Sequence, residues 1–158
     1  MALTSLLLAS CDKCDAPILI PETNFQTTVD GKQVSLYTLQ SGDITMQVTN
    51  FGARVVALWT PDREGKYDDI VLGYNHIDRY VNNSGERFLG AVVGPYANRI
   101  ANGTYSIGEE AYHFPQNNNG QTLHGGLKGL DMVVWDVKEV TENSIVFFYL
   151  RPHGQDGM

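Results

Sequence analysis

Two short glycine-bordered segments carry the side chains best suited to contact a ligand. Residues 94–100 read GPYANRI, and residues 119–126 read NGQTLHGG. Each places one strong hydrogen-bonding side chain, Arg99 or His124, beside glycines that let backbone approach a ligand closely. Loops held by a rigid sheet are where binding groups concentrate. Ligand binding is therefore one interpretation; a structural carboxylate would equally satisfy Arg99, and a structural hydrogen bond would equally explain His124.

The elements that must position these segments show the alternation of β-strands. We expect strands over residues 33–39, 44–48, 54–59, 69–72, 88–93, 104–107, 111–114, 132–140 and 144–150. Turn signals at Asp30-Gly31 and Glu142-Asn143 mark hairpins. Only residues 76–83 have a helical pattern, and they suffice for a turn or two. The whole pattern predicts an all-β fold, a large antiparallel β-sandwich.

The chain divides into three expected parts. Residues 1–11 form a lipoprotein signal segment, residues 12–24 a polar tether with prolines, and residues 25–158 the β-sandwich domain. Residues 145–150 are apolar enough to need a partner strand, but residues 151–158 read RPHGQDGM, which is typical of a turn. We therefore expect the last part to be the truncated N-terminal portion of a larger sandwich.

Cys11 and Cys14 form the sequence CDKC. A redox or zinc site is one interpretation, but no βαβ pattern follows and no second Cys/His pair exists in the sequence. The apolar run at residues 3–10 ends in Leu-Ala-Ser before Cys11, which resembles a bacterial lipoprotein processing site. No Lys or Arg precedes that run, although a secretory signal should carry one. We expect a lipid-anchored protein of the bacterial cell envelope, facing the periplasm, rather than a cytoplasmic one.

Charge and composition limit the partners of the chain. The formal net charge is −7, and no basic run occurs, which argues against nucleic acid and anionic membrane surfaces. Membrane contact is expected only through a lipid on Cys11. Of the other three histidines, His76 and His153 are typical of solvated loops and His113 of a strand face, and no histidine spacing indicates a metal site. We expect neither a metal nor a cofactor.

Five motifs together resemble the aldose 1-epimerases (galactose mutarotases). They are NFGA at 50–53, GPYANRIANG at 94–103, LHGG at 123–126, GLD at 129–131, and Trp135. The resemblance runs from about Phe25 to Met158. One conservative departure is Leu130, where the family often has Phe. The resemblance implies a large β-sandwich with a sugar bound in a cleft lined by one sheet.

The resemblance also implies the roles of three residues. Asn98, Arg99 and His124 would hydrogen-bond an aldohexose such as galactose or glucose near its ring oxygen and hydroxyls. The implied reaction is cofactor-free mutarotation, in which an acid and a base open the ring and let it reclose on the other face. The family's acid lies in an Asn-His-Ser-Tyr-Phe-type segment and its base is a late glutamate; neither segment occurs in these 158 residues. We therefore expect this stretch to supply part of the binding surface but no catalytic residue.

Two other functions fit the same residues. One is a non-catalytic carbohydrate-binding β-sandwich, which keeps the sugar contacts and lacks the acid and base. The other is a related hexose-6-phosphate epimerase, which would need extra basic residues by the cleft. The sequence shows no such excess.

Overall fold

The computed structural model describes residues 16–155, and this part of the chain is built from twelve short β-strands. They are β1 (Thr27–Val29), β2 (Lys32–Val34), β3 (Leu36–Ser41), β4 (Ile44–Thr49), β5 (Arg54–Pro61), β6 (Tyr67–Asp69), β7 (Arg99–Ile100), β8 (Thr104–Ile107), β9 (Glu110–His113), β10 (Thr122–Leu123), β11 (Asp136–Val140) and β12 (Ile145–Phe148). The connections between them include a short helix, α1 (Ile77–Val81), and 3₁₀ turns at Glu22–Phe25, Ala101–Gly103 and Leu130–Met132. The named strands pair antiparallel, which confirms the all-β class. The expected signal segment, Cys11 and Cys14 lie outside the described residues.

The predicted strand at residues 33–39 is wrong in one respect, because it is two strands. β1 and β2 form a hairpin with Val29 opposite Lys32, so the turn at Asp30-Gly31 is confirmed. The chain then breaks at Ser35, whose backbone N–H donates to Asn50 Oδ1 at 2.9 Å instead of to a neighbouring strand. β3 starts directly afterwards and pairs with β4. A buried amide side chain thus divides a run that alternates without interruption in the sequence.

A four-stranded sheet in the order β3-β4-β5-β6 is the largest sheet of the described residues. Its third strand, β5, is largely buried, as the continuous apolar run at residues 54–59 predicts. The last residues of the expected tether are attached to this sheet through Ile20. Ile20 N–H donates to Gln47 Oε1 at 2.9 Å, and Gln47 Nε2 donates back to Ile20 O at 3.0 Å. The chain therefore joins the sheet a few residues before the domain start expected at Phe25.

The core packs β2, β3 and β5 against α1 and the segment before β11. Its buried members are Phe25, Val34, Leu36, Phe51, Val56, Ile77, Tyr80 and Val134. Burying such side chains stabilises the fold by about 1.5–3 kcal/mol each. Because Val134 and Met132 pack with Leu36 and Val56, this core fixes the segment before β11 against the four-stranded sheet.

Arg54 is fully buried beside this core. Its guanidinium donates to the carbonyls of Arg87, Leu89 and Asp131 at 3.0, 2.6 and 3.1 Å. It also lies 4.4 Å from the ring centre of Tyr80. Burial lowers the pKa of Arg54 from its ordinary value. The buried guanidinium therefore joins the irregular segments that contain Leu89 and Asp131 to the start of β5.

Two predicted strands are wrong. Residues 88–93 are irregular, although two backbone hydrogen bonds join them to the start of β5 and to the turn before it. Val55 N–H donates to Gly90 O at 2.9 Å, and Val92 N–H donates to Gly52 O at 3.0 Å. The short strand expected at residues 69–72 is instead β6, which starts two residues earlier and ends at Asp69.

The later hairpins are confirmed: β8 has the expected bounds, β9 starts one residue early, and β11 and β12 are shorter than expected. β8 pairs with β9, and β11 pairs with β12 with an irregularity between Val137 and Glu139. Glu142 and Asn143 lie in the turn between the latter two strands. Across residues 16–155, no helix is long and apolar enough to cross a membrane.

Candidate functional site

The two glycine-bordered segments meet through a two-stranded ladder. β7 pairs with β10 antiparallel, which sets Leu123 opposite Arg99. The ladder continues one residue further, because His124 N–H donates to Asn98 O at 3.0 Å. Three sequence-predicted site residues, separated by up to 26 positions in the chain, are thus brought side by side.

The imidazole of His124 is oriented by two neighbours. Its Nδ1 accepts a hydrogen bond from the backbone N–H of Asn98 at 2.9 Å. The edge of the Phe88 ring packs against it, with ring centres 4.7 Å apart and planes at 67°. Because Nδ1 accepts, the neutral ring carries its proton on Nε2. His124 therefore presents an N–H donor on its outer nitrogen.

Arg99 is exposed, and neutral amides hold it. Its Nε and Nη2 donate to Asn118 Oδ1 at 3.3 and 3.1 Å, and its Nη1 donates to Asn98 Oδ1 at 3.2 Å. The ion pairs found in the described part of the chain do not include Arg99. The structural carboxylate that the sequence left open is therefore absent there, and the guanidinium keeps its charge uncompensated.

Asn117 fixes the loop that carries Asn118 and His124. Its Oδ1 accepts from Leu123 N–H at 2.7 Å, and its Nδ2 donates to the carbonyls of Leu123 and Gly126 at 3.0 and 3.1 Å. One side chain thus satisfies three backbone groups on both sides of His124. The amide-rich sequence at residues 116–120 predicts a loop, but it does not show which amide side chain bonds the backbone beside His124.

Backbone of two segments comes into close approach behind His124. Leu130 N–H donates to Gly94 O at 3.0 Å. A Cβ at Gly125, whose φ is +91°, would lie only 1.9 Å from the same Gly94 oxygen. Only glycine fits there. The glycine after His124 therefore lets the two motifs touch, and it also places the imidazole ring.

A buried ion pair supports Phe88 from behind. Arg87 Nε donates to Asp131 Oδ2 at 2.6 Å and Nη2 donates to Oδ1 at 3.0 Å. The Asp131 side chain is fully buried and that of Arg87 is 12% exposed. The Arg87 guanidinium lies 4.9 Å from the centre of the Phe88 ring. Sequence reasoning missed this pair as part of the site; Asp131 stands in the GLD motif, whereas Arg87 carries no signal.

The other histidines take no part in this site. His76 caps α1 by accepting from Asp78 N–H at 3.4 Å, and His113 lies exposed at the end of β9. His153 is exposed in a turn. Among residues 16–155, no group of three or more His, Cys, Asp or Glu side chains could hold a metal ion.

The surface is open and rich in hydrogen-bond donors. Asn98 and Arg99 are exposed, and His124 is partly buried. Arg99 offers a planar fork of N–H groups, His124 one N–H, and Asn98 an amide that can donate and accept. Such a set is complementary to the ring of hydroxyls on a neutral polyol and needs no metal.

The family model for aldose 1-epimerase matches residues 35–157. The chain therefore belongs to the aldose 1-epimerase family. It is 38% identical to galactose mutarotase of Mus musculus over 127 residues, which are 80% of this chain and 36% of the mouse protein. It is 40% identical over 118 residues to a probable aldose 1-epimerase of Arthroderma benhamiae, covering 72% of this chain and 27% of that protein.

Solved structures agree with this assignment. The aldose epimerase homologue from C. elegans superposes with a TM-score of 0.72 at 32% identity, covering 78% of this chain and 38% of that one. Galactose 1-epimerase from Lactobacillus acidophilus gives a TM-score of 0.67 at 26% identity over 82% of this chain and 38% of that one. The match thus covers only 27–38% of the length of these relatives, and the all-β fold of the chain resembles theirs.

Proposed function

We propose that this chain is part of an aldose 1-epimerase that interconverts the α and β anomers of aldohexoses such as galactose and glucose. One observation carries the proposal. Asn98, Arg99 and His124, which the family resemblance implies as sugar contacts, lie on one surface with their donors fixed by the β7–β10 ladder. A rigid set of donors loses little conformational entropy when it binds a small polar ligand.

Each side chain has a separate task in this proposal. Arg99 and the Nε2–H of His124 donate to the ring oxygen and hydroxyls of the sugar, and Asn98 donates to or accepts from a further hydroxyl. Mutarotation then requires a base that removes the anomeric O–H proton and an acid that protonates the ring oxygen. The C1–ring-oxygen bond breaks, C1 becomes an aldehyde carbon, and rotation precedes reclosure on the other face.

The acid and base implied by the family resemblance have no counterpart in these 158 residues. The described residues therefore serve substrate binding in this proposal, and the proton transfers belong to groups elsewhere in the protein. General acid–base catalysis contributes roughly 10²–10⁴-fold to a rate. We accordingly expect the 158-residue polypeptide alone not to accelerate mutarotation.

Polarimetry on freshly dissolved α-galactose and α-glucose tests the function in the natural full-length protein. Arg99→Ala and His124→Ala should each weaken turnover or affinity, because each lost partner leaves a sugar hydroxyl unpaired at about 1–3 kcal/mol. Arg99 is exposed, so Arg99→Ala should change the melting temperature little; His124→Ala also removes the acceptor of the Asn98 N–H bond, so its activity is compared per folded molecule.

Matched controls are Arg63→Ala and His113→Ala, which remove the same side-chain types at exposed positions away from the site. Sugar binding without mutarotation in the wild-type protein would identify a non-catalytic carbohydrate-binding protein. Turnover of a hexose 6-phosphate in preference to the free hexose would identify the phosphosugar epimerase. Equal loss in site and control variants would refute the assigned roles.

We also propose that the protein is anchored to the cell envelope by a lipid on Cys11. The support is the sequence alone: an apolar run ending in Leu-Ala-Ser-Cys resembles a lipoprotein processing site. A diacylglycerol thioether with two acyl chains suffices for stable anchoring. Mass spectrometry of the membrane-extracted protein should show a mature chain that begins at modified Cys11. An intact Met1 with unmodified Cys11 would refute the anchor.

A further inference from the structure

We propose that Asn118 is a positioning residue for Arg99, and that it aims the guanidinium at the sugar without neutralising its charge. The proposal rests on the sugar-binding role proposed for Arg99. Asn118 Oδ1 accepts from both Nε and Nη2, at 3.3 and 3.1 Å. Two contacts to one edge of a planar fork fix the rotation of the group as well as its place.

Asn118 is itself held firmly enough to act as a reference point. Its backbone N–H donates to Gln121 O at 3.1 Å, and its carbonyl accepts from Gln121 N–H at 2.9 Å. Asn119 and Gly120, with φ of 46° and 75°, form the tight turn between them. The adjacent Asn117 side chain joins this turn to β10. Arg99 is thus connected to the same loop that carries His124.

Only some of the guanidinium N–H groups of Arg99 are used within the protein, so the others remain available to a ligand. Three of the five guanidinium N–H groups donate to Asn118 and Asn98, which leaves one N–H on Nη1 and one on Nη2 for a ligand. A carboxylate at position 118 would hold the same edge but pair with the charge. An amide orients the group and leaves the full cationic character to the two remaining donors.

The distinction between orientation and structure can be measured. In the natural full-length protein, Asn118→Ala should raise the KM for galactose about fivefold with kcat within about twofold, because a neutral hydrogen bond that sets orientation is lost. Asn118→Asp keeps an acceptor oxygen in the same place but pairs with the charge of Arg99, so its KM should fall between those of the wild type and Asn118→Ala. The matched control is Gln121→Ala, which removes a side-chain bond of the same turn, to Asn102 N–H, without touching Arg99.

A second readout does not depend on turnover. The Nε–H of Arg99 should give a distinct, exchange-protected NMR signal in the wild type and in Asn118→Asp, and should lose protection in Asn118→Ala. If Arg99→Ala leaves aldose kinetics unchanged, the proposed binding role of Arg99 fails. If Arg99→Ala impairs turnover but Asn118→Ala matches wild type in KM and in the Nε–H signal, the positioning role alone is refuted. Equal changes in Asn118→Ala and Gln121→Ala would also refute it, because they would reflect the turn as a whole.

Discussion

Gly125→Ala is the substitution that most directly tests how the site is built. The added Cβ would lie 1.9 Å from Gly94 O and 2.7 Å from Gly94 C, whereas ordinary contact begins near 3.4 Å. Both opposing atoms are backbone, so no side chain can rotate away. The two segments must therefore separate by roughly 1.5 Å, and His124, the preceding residue, must move with them.

Two effects lower the free energy of unfolding of Gly125→Ala, and they add. An alanine at φ +91° is strained by about 1–3 kcal/mol. Separation of the segments also weakens the hydrogen bond from Leu130 N–H to Gly94 O, worth about 0.5–1.5 kcal/mol. The free energy of unfolding should therefore fall by about 1.5–4.5 kcal/mol. Because a misplacement of about 1 Å can cost on the order of 100-fold in rate, turnover per folded molecule should fall by about that factor.

Gly108→Ala separates the two parts. Gly108 has φ +63° in the turn between β8 and β9, and a Cβ there would meet nothing within 4 Å. This control carries the backbone strain without the collision. Urea unfolding gives the stability of both variants, and polarimetry gives turnover in the full-length protein. Equal destabilisation of the two variants, with normal turnover in Gly125→Ala, would refute the close approach as the reason for this glycine.

Two further predictions concern the groups behind the site. Asp131→Asn should lower the free energy of unfolding by about 3–5 kcal/mol, because it leaves the mostly buried Arg87 without its charge partner. The control is Asp136→Asn, which removes the half-exposed ion pair with Lys32 and should change urea unfolding little. Burial raises the pKa of Tyr80 above its ordinary value of 10.0, so the unfolded chain loses that proton first as pH rises. This contribution to stability is present below pH 10 and is lost above it, towards the raised value. Tyr80→Phe should flatten the alkaline fall in melting temperature, and an unchanged pH profile would contradict this reasoning.

Strand periodicity predicted the all-β class and most hairpins because those features depend on nearest neighbours in sequence. The turn at Asp30-Gly31 and the pairing of β8 with β9 are local events of this kind. The assignment failed where side chains replace the ladder. Residues 33–39 form two strands instead of one because the Ser35 N–H donates to the Asn50 side chain. Residues 88–93 do not form a strand, although their apolar composition favours one.

The candidate site shows the same limit. The motifs place Arg99 and His124 next to glycines, and their residue types indicate hydrogen bonding. Spacing along the chain does not reveal that β7 pairs with β10, nor that Asn118 rather than a carboxylate satisfies Arg99. Spacing also does not identify Phe88 as a neighbour of His124, since one aromatic residue in an apolar run is usually part of a core.

A ladder as short as β7–β10 raises the question of how it holds binding groups in place. Two residue pairs provide few backbone hydrogen bonds, and a strand pair of that length is unstable alone. Asn117 adds three hydrogen bonds to backbone on both sides of His124. Residues Asn98 and His124 both adopt left-handed backbone conformations, with φ of 64° and 52°, which cost energy and persist only where surroundings determine them. The amides that fix the loop therefore stabilise the strained backbone that brings the Nδ1 of His124 to the Asn98 N–H, and so determine which nitrogen of the ring faces a ligand.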